Sequence, residues 1–262
     1  MFRALHTAAT GMMAQQLDLD NIANNLANAS TSGFRSRRMQ FEDLLYQNLV
    51  APGSAATQQT TVASGLQIGL GTRSASTEVV MTQGDLTTTN NPLDLAIEGA
   101  GFFQIKMPDG QTGYTRAGSF HLDANGQIVD ADGNALQPQI SIPLNATGVT
   151  IGSDGSVSAT VPGQSAAQLV GTITLATFPN PGGLESAGQN TFYATTGSGA
   201  AIVGTPGGSE GIGRLQQGAL ENSNVNVVDE FIQMIQAERS YEANSKVVKT
   251  ADQMFLDLNN LA

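Results

Sequence analysis

The sequence predicts an α+β fold in which long N- and C-terminal helices pair as a coiled-coil-like domain and a central antiparallel β domain lies between them. Three observations predict it. No proline precedes Pro52 or follows Pro206, and both ends are nearly free of glycine. Each end carries apolar residues every seven positions. The middle of the chain breaks into short strand-like runs separated by Gly, Asp and Asn turns.

The ends come first. A proline inside a helix costs about 3 kcal/mol and a glycine about 1 kcal/mol, so long helices are cheapest where both are missing. Leu5, Met12, Leu19 and Leu26 recur by sevens, and Ala8, Gln15, Ile22 and Ala29 follow three residues after each. This is a heptad stripe with small alanines that permit close approach. Ser30 to Gly33 end it, glycine being favoured just beyond a helix C-terminus. The other end repeats the device with Val227, Met234, Tyr241, Val248, Phe255 and Ala262. Phe231, Ala237, Asn244, Ala251 and Leu258 complete its stripe. Asn226 or Ser223 is the expected cap, and Asp229 and Glu230 suit the positive end of the helix dipole. Each stripe is too narrow to form a globular core alone, so the two helices are expected to bury each other.

The middle reads as strands. Phe103, Ile105 and Met107 alternate, and Pro108-Asp109-Gly110 turns the chain. Tyr114 with Arg116 and then Phe120 with Leu122 follow, and Asn125-Gly126 is a hairpin signal. Ile128 and Val129 lead into another turn at Asp132-Gly133-Asn134. Later strands are expected at Val149 to Ile151, Ser156 to Val161 and Gln168 to Phe178, with a tight turn at Asp154-Gly155. Short strands at this spacing predict an antiparallel sandwich or barrel. Residues 47 to 65, polar and rich in Thr and Gln, read as a linker or extended loop.

The expected divisions are therefore a first helix over 1–40, an extended linker over 41–75 and a β domain over 76–210. A return linker over 211–224 and a last helix over 225–262 complete the chain.

Charge and composition narrow the function. The 262 residues carry 11 Lys and Arg against 22 Asp and Glu, a net charge of −11, with no Cys and no Trp. Nucleic acid and anionic membrane are poor partners for such a chain. Thiolate chemistry and disulfides are excluded. No apolar run is long enough to span a bilayer. The first twenty residues turn acidic too early for a cleavable signal peptide, so none is expected.

Candidate chemical sites are weak. Asp123-Ala-Asn125-Gly126 and Asp130-Ala-Asp132-Gly133-Asn134 look like halves of calcium loops, but no distant acidic ligand follows and hairpin turns explain them better. His6 and His121 stand in different regions. GAGF at 99 to 102 precedes a strand, not the helix a dinucleotide site requires. No catalytic, cofactor-binding or metal residue is assigned, no cofactor is expected, and the chain is read as a non-enzyme. Arg35, Arg37 and Arg38 form the one basic cluster. They are expected either to meet the helix end or nearby acids such as Glu42 and Asp43, or to pair with an acidic neighbouring subunit.

DNIANNLANASTSGFRSRR, residues 20 to 38, resembles the N-terminal signature of the bacterial flagellar rod and hook axial family. ENSNVNVVDEFIQMIQAERSYEANSKVVKTADQM, residues 221 to 254, looks like its C-terminal signature. GFFQI, YTRAGSF and LDANGQIVDADGNAL resemble its β domain, while FEDLLYQ and SGLQIGLGTR look like the distal-rod branch in particular. The resemblance implies a structural subunit that polymerises helically into a hollow, rigid drive shaft and transmits torque to the hook. It implies terminal helices lining an inner axial tube and β domains forming the outer wall. Implied partners are further copies of the chain, proximal rod subunits, hook or junction proteins, the ring bushing and the flagellar export apparatus. The implied place is the basal body, from periplasm to outer membrane, reached by export without a cleaved signal.

On this reading the assembly interface falls on Leu5, Met12, Leu19, Ile22, Leu26, Gly33 and Phe34, with Asn24, Asn25 and Asn28 supplying polar contacts or channel lining. At the other end it falls on Val227, Phe231, Met234, Tyr241, Val248, Phe255 and Leu258. The terminal helices are expected to fray in isolation and to order on assembly. A proximal rod or hook subunit is the alternative within the family. A secreted glycan hydrolase acting on peptidoglycan, and a calcium-dependent adhesin, are the alternatives outside it.

Overall fold

The computed structural model describes residues 2–53, 63–163, 166–208 and 211–260. The chain is α+β, with a helix near each end and antiparallel sheets between. It divides into two compact units.

The first unit comprises Met1–Ala27, Arg37–Glu78 and Asn226–Ala262. Helix α1, Phe2–Ala27, has 26 residues and is about 39 Å long at 1.5 Å per residue. Helix α2, Val227–Asn260, has 34 residues, or about 51 Å. The two helices pack along each other. Asn226 caps α2 as expected: its Oδ1 accepts from the Val228 N–H at 3.1 Å, and its carbonyl accepts from the Glu230 N–H at 3.0 Å. Strand Arg37–Asp43 pairs with Thr72–Val79, and Tyr46–Val50 pairs antiparallel with Leu66–Gly69. The described parts of the 47–65 segment are thus strand and turn, while residues 54–62 and Ala262 lie outside the described residues.

The second unit comprises Asn28–Ser36 and Val79–Val225. Its centre is strand Phe102–Lys106, which pairs with Thr112–Thr115 on one edge and with Ala135–Gln137 and Leu175–Thr177 on the other. Side chains alternate across a strand, and the consequence here is two cores. Phe103 joins Leu95, Phe120, Leu136 and Leu175 on one face, and Phe102 joins Tyr114, Phe178 and Phe192 on the other. Phe103 meets Phe120 edge-on with centroids 5.1 Å apart, and Tyr114 meets Phe178 at 4.8 Å.

The turns follow the acids. Asp123 Oδ1 accepts from the N–H groups of Asn125 and Gln127, and Asp130 Oδ1 from those of Asp132 and Asn134. These carboxylates close hairpins, and local backbone donors hold Asp123 below the usual carboxylate range. Among the described residues no group of three or more His, Asp and Glu is placed to hold a metal ion.

Two expectations need correction. Gln168 to Phe178 is not one strand. Gln168–Thr172 joins a three-stranded sheet and Leu175–Thr177 joins the large one. The chain changes sheet at Ile173, which is fully buried and donates its N–H to the Gly155 carbonyl at 2.8 Å. The basic cluster is also divided. Arg35 is buried against Glu221 at 2.6 Å, while Arg38 pairs on the surface with Glu78 at 2.9 Å. Neither Glu42 nor Asp43 receives them; Glu42 pairs with Arg73. Residues 211–224 also contribute two strands, Arg214–Gln217 and Ala219–Glu221.

Candidate assembly surface

The first unit is built around the helix seam. Leu5, Met12, Leu19 and Leu26 are half-buried along α1, and Ala8, Ala14, Ile22 and Asn25 are buried. On α2, Ala237 and Ala251 are buried and Met234, Asn244, Val248 and Phe255 are half-buried. Small residues set the spacing. A Cβ at Gly11 would sit 2.8 Å from Asn244 Nδ2, closer than nonbonded atoms allow. The rings of Phe2 and Phe255 meet at a tilt, with centroids 5.4 Å apart, near the far end.

Polar contacts fix the other end of the seam. Asn25 Nδ2 donates to Glu230 Oε1 at 3.0 Å and to the Arg37 carbonyl at 2.8 Å, and Asn25 Oδ1 accepts from the Arg37 N–H at 2.9 Å. Asn21 donates to the same carbonyl at 2.8 Å. The amide of Asn25 is thus committed inside the chain. Asn24 is exposed and Asn28 half-buried, and both make interactions of their own. Glu230 is buried beside Asn25, and its Oε2 finds no partner among the described residues. Burial raises its pKa first, the Asn25 hydrogen bond lowers it, and the charges of Asp18 and Asp229 raise it again. Asp18, half-buried on α1, is raised by burial too.

The remaining positions named from the sequence lie elsewhere. Val227, Phe231 and Tyr241 are exposed on α2. Leu258 lies in α2 with its side chain outside the described residues. Gly33 and Phe34 belong to the second unit. Gly33 has φ of 72°, and a Cβ there would lie 2.5 Å from the Ala117 amide nitrogen.

What the heptads did not reveal is a second apolar line. Of 23 exposed large hydrophobic residues among those described, 18 lie in the first unit. On α2, Val228, Ile232 and Ile235 are 65%, 49% and 56% exposed, at i, i+4 and i+7 along one face. Leu45, at 86%, and Tyr46 and Leu49 are exposed on the strand pair. Exposed apolar surface of this kind marks an interaction site. No described helix is long and apolar enough to cross a membrane. The signal was present in the sequence as the triplet Val228, Ile232 and Ile235, hidden beside the stronger period-seven stripe.

Known proteins resemble the chain in sequence. Residues 5–35 match the family model described as flagella basal body rod protein. Residues 96–159 match the flagellar hook protein FlgE/F/G D1 domain, and residues 216–261 the flagellar basal body rod FlgEFG protein C-terminal. A flagellar basal-body rod protein FlgG of Buchnera aphidicola is 48% identical over 261 residues, covering 100% of both chains. The protein of the same name in Borreliella burgdorferi is 46% identical over 263 residues, covering 100% of this chain and 99% of its own. A flagellar hook protein FlgE of Treponema pallidum, 40% identical, matches only 52% of this chain and 29% of its own length. With matches that run from end to end in rod proteins and through only part of a hook protein, the chain belongs to the flagellar basal-body rod protein family.

Proposed function

We propose that the chain is a structural subunit of the flagellar distal rod, polymerising with copies of itself into a rigid, hollow shaft that carries torque to the hook. The observation that carries this reading is the concentration of uncovered apolar side chains on the helical unit, above all Val228, Ile232 and Ile235. A filament needs heterologous contacts that repeat without closing, and burying these side chains against neighbouring copies supplies them. The helices paired in a coiled-coil-like manner form the inner axial domain, and the β unit forms the outer wall. The heptad residues Leu5, Met12, Leu19, Ile22, Leu26, Met234, Val248 and Phe255 act by holding the helices together. Val227, Phe231 and Tyr241 face the neighbours directly.

In this reading the shaft joins proximal rod subunits below and hook or junction proteins above, inside the ring bushing. It spans periplasm to outer membrane, and the subunit travels through the flagellar export apparatus without a cleaved signal. The work is mechanical, distributed over many contacts, and needs no catalytic residue or cofactor.

Polymerisation of the purified chain, followed by light scattering and electron microscopy, tests it. Wild-type chain forms tubes, and Ile232→Asp with Ile235→Asp abolishes them while both units stay folded. Unchanged tubes from that double variant overturn the proposed face.

A further inference from the structure

Inside the β unit, two guanidinium groups meet one carboxylate. Arg35 Nη2 donates to Glu221 Oε1 at 2.6 Å, and Arg116 Nη1 donates to Glu221 Oε2 at 3.2 Å. The Gly84 N–H adds a bond to Oε1 at 3.0 Å. Arg116 also donates to the carbonyls of Ile97, at 3.3 Å, and Gly99, at 2.6 Å. All three charged side chains are buried. Two cations against one anion leave a charge of +1 away from water. Burial, and secondly the Arg35 charge, pull Arg116 down to about 10 against the opposing pull of Glu221, so it remains a cation at neutral pH.

The centre also has donors to spare. Arg35 Nε, Arg35 Nη1 and Arg116 Nε are buried and find no acceptor among the described residues. A buried donor without an acceptor is destabilising, and a surplus buried cation more so. Both arginines line the same cavity, of about 310 Å³. Its other walls are mainly apolar, with Met81, Phe102, Phe178 and Pro181 beside the polar Gln83 and Thr177. Gly99 and Gly101 take φ of 105° and 141°, a backbone that side chains resist, and this turns the Gly99 carbonyl to Arg116. The GAGF segment, without a place in a dinucleotide site, thereby acquires a use.

We propose that this cavity is a carboxylate site, filled on assembly by an acidic side chain from a second copy of this chain. Charge complementarity selects the occupant. The β unit holds 11 acids against four bases, Arg35, Lys106, Arg116 and Arg214, so adjoining β units repel unless a positive socket receives one of those acids. The apolar walls strengthen the pairing by excluding water. The choice of a second copy rests on the rod reading above; the carboxylate chemistry does not.

Benzoate and its uncharged counterpart benzamide test the site on the full-length chain. Amide resonances of Ala100 and Gly101 are followed during titration, and polymerisation is timed in the same solutions. Expected is saturable binding of benzoate, at least tenfold weaker binding of benzamide, and polymerisation slowed by benzoate in proportion to occupancy. Equal binding of the two compounds, or no saturable binding of either, overturns the site. Benzoate binding without effect on polymerisation overturns the second copy as occupant. Failure of the chain to polymerise in any solution counts against the rod reading, while the titration still decides the site. Arg35→Lys, which keeps the charge but loses the planar fork, is expected to weaken benzoate binding at least tenfold; unchanged affinity in that variant also overturns the site.

Discussion

Asn25 donates to Glu230 at 3.0 Å across the helix seam while the same amide holds both backbone groups of Arg37. One side chain thus ties α1, α2 and the first strand of the helical unit together. A polar residue at a seam specifies register, because any slip leaves buried groups unpaired. Asn25→Ala is expected to destabilise this unit by about 1–3 kcal/mol, seen as an earlier helical transition in denaturant. An unchanged midpoint would show the contact to be incidental.

Glu230 makes the helix pair sensitive to pH. Its folded pKa is raised above the ordinary 4.5, chiefly by burial, so the folded state binds the proton more tightly than the unfolded chain. Stability from this group therefore grows as pH falls through the folded pKa, is complete below 4.5, and is lost as pH rises again. Asp18, raised by burial above 3.8, acts in the same sense. Glu78, lowered chiefly by its hydrogen bond from Arg38, acts oppositely, and its contribution disappears as acid protonates it. The difference between wild type and Glu230→Gln isolates the first effect. The variant should be the more stable at neutral pH and lose that advantage toward pH 4. A constant difference across this range would contradict the assignment.

Two aspartates on different helices separate folding from assembly. Leu19→Asp places a charge in the half-buried seam and should cost about 2–3 kcal/mol in the helical unit. Ile232→Asp changes an exposed position and should leave stability within about 0.5 kcal/mol. Only the second should block polymerisation with the monomer's melting curve unaltered. Limited proteolysis offers a further readout, since Leu19→Asp should release a resistant fragment near residues 79–225.

Gly33→Ala is expected to damage the β unit. Its φ of 72° and the 2.5 Å approach to the Ala117 nitrogen combine backbone strain with a clash against main chain, costing at least about 2 kcal/mol. Melting of the β unit monitors it. Loss of polymerisation with unchanged melting would instead make Gly33 a direct contact between copies.

Legibility varied with the range of the interaction. The helices and their seam were readable because the period of seven is local, and Leu5, Ala8, Ile22, Ala237 and Ala251 occupy it. The turns at Asp123 and Asp130 were readable because each carboxylate bonds the backbone two and four residues on. The break at Ile173 was not, since two β-rich strands joined without glycine or proline look like one. The exposed triplet on α2 was not read because an α-helix has more than one face, and the period-seven stripe is the more regular of the two.

The amino-acid sequence by itself determined where helices can form, where hairpins turn, and which signatures place the chain among rod proteins. Each depends on neighbours within a few residues. Tertiary structure alone decided that Arg35 would meet Glu221, 186 positions away, that Asn25 would serve Arg37 and Glu230, and which apolar side chains stay uncovered. Those outcomes depend on burial and on which backbone groups need partners, and neither exists until distant segments have come together.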